Sequence, residues 1–153
     1  MRRNATIVMV LGAVALMALL AAHPWATESK GAGPAAGLGW AADLPSALGK
    51  ARTENKLVMV DFYTDWCAYC EKFDRTTLRD AEVQHALGSV VPVKLNAESD
   101  GRGEAERFGV DGYPTILFLD GSGNEVGRIP GYLPATAFLE EFRDILRKGS
   151  LAS

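Results

Sequence analysis

Leu57 to Cys70 reads LVMVDFYTDWCAYC, and the 153-residue chain holds no cysteine outside this stretch. Leu57 to Tyr63 is an apolar, β-branched and aromatic run, which predicts a short buried strand. Thr64 to Trp66 break the run, and two cysteines follow, three positions apart. Cys70, Phe73 and Thr77 recur at helical spacing, which predicts a helix from Cys67 to about Leu78. A strand that feeds a helix is the unit of an α/β fold. Such sheets carry their chemistry at the carboxyl ends of strands, and the cysteine pair sits at one.

The rest of the chain fits that unit. Upstream, Asp43 can cap a helix with Leu44, Ala47, Leu48 and Ala51 on one face. Downstream, Asp80 can cap a short helix with Val83, Ala86 and Leu87, ended by Gly88. Val90 to Leu95 reads as a strand, with Pro92 expected at its start or at a bulge. Glu104 to Phe108 gives a helical turn or two. Thr115 to Leu119 is a strand, and DGSGN returns the chain into Glu125 to Ile129 as a hairpin. Pro134 fits the first turn of a last helix. Phe138, Leu139, Phe142, Ile145 and Leu146 form its apolar stripe, and Gly149 is expected just past its end. Strand–helix–strand alternation followed by a hairpin implies an α/β fold, with a mixed sheet covered on both faces.

The first 26 residues read as a targeting segment. Arg2 and Arg3 precede an uncharged run from Ala5 to Ala22, and small residues follow. Two readings stand: a signal peptide cleaved after Ala22 or Ala26, or an uncleaved membrane anchor. Both put the remainder on the far side of the membrane from the arginines. Residues 27–39, TESKGAGPAAGLG, read as a flexible linker, and residues 40–149 as the folded domain. A formal net charge of −3 and no basic patch beyond Arg2 and Arg3 argue against a nucleic-acid partner. No internal repeat appears.

The spacing of the cysteines allows a specific chemistry. Side chains at i and i+3 on a helical turn lie ~5–6 Å apart at Cβ, close enough to form a disulfide with modest adjustment. The first sits at a helix N-terminus, where free N–H groups and the macrodipole stabilise a thiolate. Cys67 is therefore the expected nucleophile and Cys70 the resolving thiol. Other readings are weaker. A static disulfide closing so short a loop would stabilise little in the chain-entropy model. A zinc site would need two more ligands, for which the chain offers His23, His85 and carboxylates.

VDFYTDWCAYC resembles the active-site segment of thioredoxins, and Tyr113-Pro114-Thr115 resembles that family's cis-proline loop. The similarity runs from about Trp40 to Lys148. It extends to the C-terminal thioredoxin-like domain of the thiol:disulfide interchange protein DsbD, which the chain also resembles. The D-W-C-x-x-C pattern, an acid four residues after the second cysteine, YPTILFLDG and GYLP all contribute. The resemblance implies a thioredoxin fold with a mixed central sheet and helices on both faces.

It also implies roles for particular residues. Asp61 matches the buried acid that takes a proton from Cys70, and Asp74 matches the second acid of the DsbD-like group. Lys94 matches a lysine beside the buried acid. Pro114 matches the cis-proline, which leaves the Tyr113 backbone to pair with an extended substrate. Trp66, Tyr69, Tyr113, Gly131 and Tyr132 would rim a shallow docking surface. Plainer readings remain beside these: a strand-edge acid for Asp61, a solvated helix charge for Asp74, a surface lysine for Lys94, and loop support for Trp66. Trp40 reads as a packing residue, His85 as a surface helix residue and Asp65 as a solvated loop acid.

The direction of electron flow follows from what flanks the cysteines. Strong oxidants of the family carry a histidine between them, and this chain has Ala68-Tyr69. Nearby acids raise a thiol pKa, which tilts the reading toward a reductant or electron relay. DsbD also carries a membrane electron channel and a further periplasmic domain, so a separate membrane thiol carrier is the expected electron donor. The expected substrates are disulfide-containing periplasmic proteins. The chain is expected to act as a monomer, outside the cytoplasm, with no metal and no cofactor beyond its cysteine pair. The competing function classes are a thioredoxin-fold binding or chaperone module, a thiolate copper carrier, and an oxidase or isomerase running the same chemistry.

Overall fold

The computed structural model describes residues 37–151. Residues 1–26, read above as a targeting segment, and most of the residues read as a linker lie outside the described residues. The elements are α1 (Leu44–Glu54), β1 (Leu57–Tyr63), α2 (Ala68–Arg75), a 3₁₀ turn (Thr77–Arg79), α3 (Ala81–Leu87), β2 (Val90–Asn96), α4 (Arg102–Arg107), β3 (Thr115–Leu119), β4 (Glu125–Pro130) and α5 (Ala135–Leu151). Their order and type follow the sequence reading. The strands form one sheet in the order β2-β1-β3-β4. β1 runs parallel to β2 and antiparallel to β3, and β3 and β4 form the hairpin.

Period-two alternation sorts the core into two layers. Val58, Val60 and Phe62 of β1 point to one face, with Val91, Val93, Leu117 and Leu119. Leu44, Ala47 and Ala51 of α1 and Ala105 of α4 cover that face. Met59, Ile116 and Phe118 point to the other, under Phe73 of α2, Val83 and Leu87 of α3, and Phe138, Phe142 and Ile145 of α5. The sheet is mixed and has helices on both faces.

Local chemistry sets most boundaries. Asp43 caps α1 by accepting the Ser46 N–H, and Asp80 caps α3 by accepting from Glu82 and Val83. The Asp120 carboxylate accepts from the backbone N–H groups of Ser122 and Asn124 and so closes the hairpin turn, with Gly123 at φ +85°. No helix among the described residues is long and apolar enough to cross a membrane.

Four details depart from the sequence reading. Pro92 lies inside β2, paired in register with Met59 rather than at a start or bulge. β2 is an edge strand, and the Pro92 carbonyl faces outward to accept the Ala41 N–H. A missing N–H on that side costs the sheet no ladder bond. Pro134 precedes α5, its carbonyl taking the first helical bond from Phe138. Gly149 belongs to α5 rather than ending it; a Cβ there would meet Leu57 Cδ1 at 2.9 Å, so glycine allows the helix to approach β1. Leu38, assigned to the linker by composition, packs against the core layer of α2, α3 and α5.

Candidate functional site: a disulfide at the head of α2

β1 ends at Tyr63, and the chain turns through Thr64 to Trp66 into α2. The Thr64 carbonyl accepts the Cys67 N–H at 3.2 Å, which fixes the turn. Cys67 is the N-cap of α2, and its Sγ accepts the Cys70 N–H at 3.1 Å. Its carbonyl accepts from Cys70 and Glu71. Cys67 and Cys70 are joined as a disulfide, with Cα atoms 5.3 Å apart. The sulfur at the cap therefore already occupies the place where helix N–H groups favour negative charge. Both cysteines line a cleft of about 390 Å³, with Thr64, Trp66, Glu71 and Asp74 among its other walls.

Asp61 and Lys94 are register partners on β1 and β2. By alternation Asp61 shares the sheet face of Met59, the face that α2 covers. Its carboxylate is buried and accepts no well-aligned hydrogen bond. Lys94 Nζ stands 3.1 Å away as an ion partner. Burial pushes the Asp61 pKa up to about 6; Lys94 opposes the rise and Asp74 adds to it. The Lys94 ammonium also pairs with Asp74, so one cation bridges the two acids. Burial works to lower the Lys94 pKa, but Asp61 and Asp74 outweigh it and hold the ammonium above its ordinary range. The rings of Tyr63 and Trp40 flank it, their centroids 4.9 and 6.0 Å from Nζ. Lys94 is thus part-buried and doubly paired.

Exposed aromatic side chains surround the disulfide. Trp66 is 69% and Tyr69 62% exposed, and both are next to a cysteine in sequence. Trp66 meets Tyr113 edge to face at 6.2 Å, and its Nε1 donates to Glu98. Tyr69 lies 6.3 Å from Tyr132, whose ring carries Lys72 Nζ at 4.3 Å. The Tyr113–Pro114 peptide is cis, and the Pro114 carbonyl accepts the Gly131 N–H at 2.7 Å. Gly131 takes φ +81°, which only glycine adopts without strain. Asp65, read as a solvated loop acid, accepts from Asn96 Nδ2. His85 is exposed on α3. Among the described residues no group of three or more His, Cys, Asp and Glu side chains is placed to hold a metal ion.

The Lys94–Asp74 arm of the bridge and the Glu98 partner of Trp66 were not read from the sequence, which placed Lys94 beside Asp61 only by resemblance. Each joins residues 20 or more positions apart, and no local spacing signals them. Thr64 was not singled out either, although it lines the cleft and its hydroxyl is buried without a partner among the described residues.

The family model of the thioredoxin-like domain matches residues 44–146. The chain belongs to the thioredoxin-like family. Its Cys67–Cys70 pair stands at disulfide-bonding distance at the head of α2. The chain is 37% identical over 110 residues to the thiol:disulfide interchange protein DsbD of Cronobacter sakazakii, covering 69% of this chain and 19% of that protein. It is 34% identical over 145 residues to DsbD of Salmonella paratyphi A, covering 88% of this chain and 25% of that protein. It thus spans about a fifth to a quarter of the length of these relatives. Among solved structures, a thioredoxin from Thermus thermophilus superposes with a TM-score of 0.64 at 33% identity, covering 70% of this chain and 86% of the other. The oxidised C-terminal domain of Neisseria meningitidis DsbD shares the thioredoxin-like fold, with a TM-score of 0.56 at 22% identity, covering 65% and 90%.

Proposed function

We propose that this chain is a protein-disulfide reductase or electron relay working outside the cytoplasm. The observation that carries the reading is the Cys67–Cys70 disulfide at the head of α2, with the cap sulfur on a helix N–H and exposed aromatics around it. In the reduced form the Cys67 thiolate attacks one sulfur of a substrate disulfide. That bond breaks, the leaving sulfur departs as a thiolate, and a mixed disulfide forms on Cys67. Cys70 then gives its proton to Asp61 and attacks the Cys67 sulfur. The second substrate thiol leaves, and the Cys67–Cys70 disulfide remains. Two electrons have passed to the substrate. A membrane thiol carrier would return them, and no further cofactor is required.

Asp61 suits the proton step because burial brings its pKa to about 6. Asp74 lines the cleft with both cysteines, and Lys94 cancels one of the two acid charges. The remaining negative charge disfavours a thiolate. We therefore expect a Cys67 pKa above neutrality and a potential nearer the roughly −270 mV of thioredoxin than the roughly −120 mV of a strong oxidant. Trp66, Tyr69, Tyr113, Pro114, Gly131 and Tyr132 would dock an extended segment of a disulfide-containing periplasmic protein. The chain would act as a monomer, with residues 1–26 as a signal peptide or anchor and residues 40–149 as the working domain.

The test is insulin reduction with dithiothreitol, paired with trapping in cells. Wild type should turn over. Cys67→Ser should abolish exchange. Cys70→Ser should retain the first attack and accumulate mixed disulfides with proteins outside the cytoplasm. No turnover by wild type, a potential above about −180 mV, or captured partners that are all cytoplasmic would overturn the reading.

A further inference from the structure

β4 grips the segment that carries the cis-proline at both of its ends. Residues 108–114 join α4 to β3 without helix or strand, and they set Tyr113 against Trp66. Phe108, Val110 and Tyr113 pack against the core layer of α1 and α4 but are only partly buried. The N–H groups of Asp111, Gly112 and Tyr113 make no backbone hydrogen bond among the described residues. A segment with so few ties of its own opens at low cost unless its neighbours hold it. At one end Gly131, just past β4, donates its N–H to the Pro114 carbonyl at 2.7 Å. At the other end Arg128 of β4 donates from Nη2 to the Phe108 carbonyl at 2.9 Å.

The surroundings of Arg128 suit that contact. It is the register partner of Leu117, so it stands on the sheet face that α1 and α4 cover. Its Nε and Nη2 each donate to one oxygen of Glu125 at 2.6 Å. A planar guanidinium held in such a fork has lost much of its freedom before it meets the carbonyl. Hydrogen bonding to Glu125 keeps the Arg128 pKa above its ordinary range, and the charge of Asp111, inside the segment, adds to that. We propose that Arg128 is a positioning residue for substrate docking: its bond to the Phe108 carbonyl, with the Gly131 bond, fixes residues 108–114 and so the place of Tyr113. The inference rests on the proposed reading that Tyr113 pairs with an extended substrate beside the cysteine pair. Arg128 does not line the cleft of Cys67 and Cys70, so its effect falls on docking and not on exchange.

The test compares wild type with Arg128→Met and Arg128→Lys in reduction of insulin and of oxidised glutathione. Arg128→Met keeps the stem and removes every donor. A misplaced docking segment weakens binding before chemistry, so KM for insulin should rise about fivefold while kcat stays near wild type. Arg128→Lys, which keeps the charge but not the fork, should fall between the two. Oxidised glutathione, too small to lie along the segment, should be reduced at nearly the wild-type rate. Amide exchange adds a readout independent of activity: the Val110 and Gly131 N–H groups should exchange about fivefold faster in Arg128→Met, with the β1 amides unchanged. If Arg128→Met does not fold, Glu125→Ala, which leaves the guanidinium unsteered, should move KM and exchange in the same direction. A KM for insulin within about twofold of wild type in these variants, or equal losses on insulin and glutathione, would overturn the inference. Failure of the underlying reading is distinct: wild type itself would then reduce neither substrate.

Discussion

Asp61 shows how a single buried charge couples stability to pH. Its carboxyl titrates near 6 in the fold against an ordinary value of 3.8. Burial dominates, and the nearby Lys94 only partly offsets it. Between about 3.8 and 6 the folded state therefore binds more protons than the unfolded chain. Stability falls as pH rises through that window, and the penalty is complete above about 6. Asp61→Asn removes the titration. In urea unfolding of the disulfide form, the variant should gain on wild type by on the order of 2–3 kcal/mol from pH 4 to pH 7.5. A gap that does not change with pH would mean that Asp61 is not the titrating group. The kinetic counterpart is release of a Cys67 mixed disulfide. Its rate should rise through about pH 6 in wild type, and in Asp61→Asn it should be slower and lose that inflection.

At the scale of elements, the site depends on how β2 leads into α4. Asn96, the last residue of β2, donates its side-chain amide to Asp65 in the loop before the cysteines. Gly101 caps α4, and its N–H bonds the Asn96 carbonyl at 2.8 Å. A Cβ at Gly101 would stand 2.6 Å from Leu95 Cβ and 3.1 Å from the Asn96 carbonyl oxygen. Neither atom is the end of a flexible side chain, so the turn itself must move. Gly101→Ala should cost ~1–3 kcal/mol, the usual penalty of overpacking. In thermal unfolding that appears as a drop of several degrees. An unchanged melting temperature would show that the turn relaxes freely.

For the whole molecule, the two helical layers bury the sheet and leave large apolar side chains where the cysteines emerge. Trp66 and Tyr69 are exposed on the rim rather than packed in either core layer. Their removal should leave stability within about 0.5 kcal/mol, as for surface positions generally. Docking should suffer instead. Trp66→Ala/Tyr69→Ala should raise KM for a protein disulfide about tenfold while kcat changes little, because the aromatics would act as anchors rather than in the chemistry. A small disulfide such as oxidised glutathione should be reduced at nearly the wild-type rate. Equal losses on both substrates would argue that the two side chains shape the cysteine site itself.

The residue pattern by itself determined the strand into Cys67, the helix after it, the capping of α1 and α3 by Asp43 and Asp80, and the hairpin at DGSGN. These depend on period, turn chemistry and capping, all of which act over a few positions. The pairing of Asp61 with Lys94 was anticipated through resemblance, as one of two readings. What only the tertiary structure decided is contact across the sheet and between layers. Pro92 is tolerated in mid-strand because β2 lies at an edge, a property of strand order rather than of local sequence. Gly149 lies within α5 against the Leu57 side chain, a contact between layers that no local pattern signals. Lys94 joins Asp61 to Asp74 because alternation on two neighbouring strands aims its side chain at the face covered by α2. The Thr64 hydroxyl is buried without a partner among the described residues, which no local pattern signals because burial is a sum over residues distant in sequence.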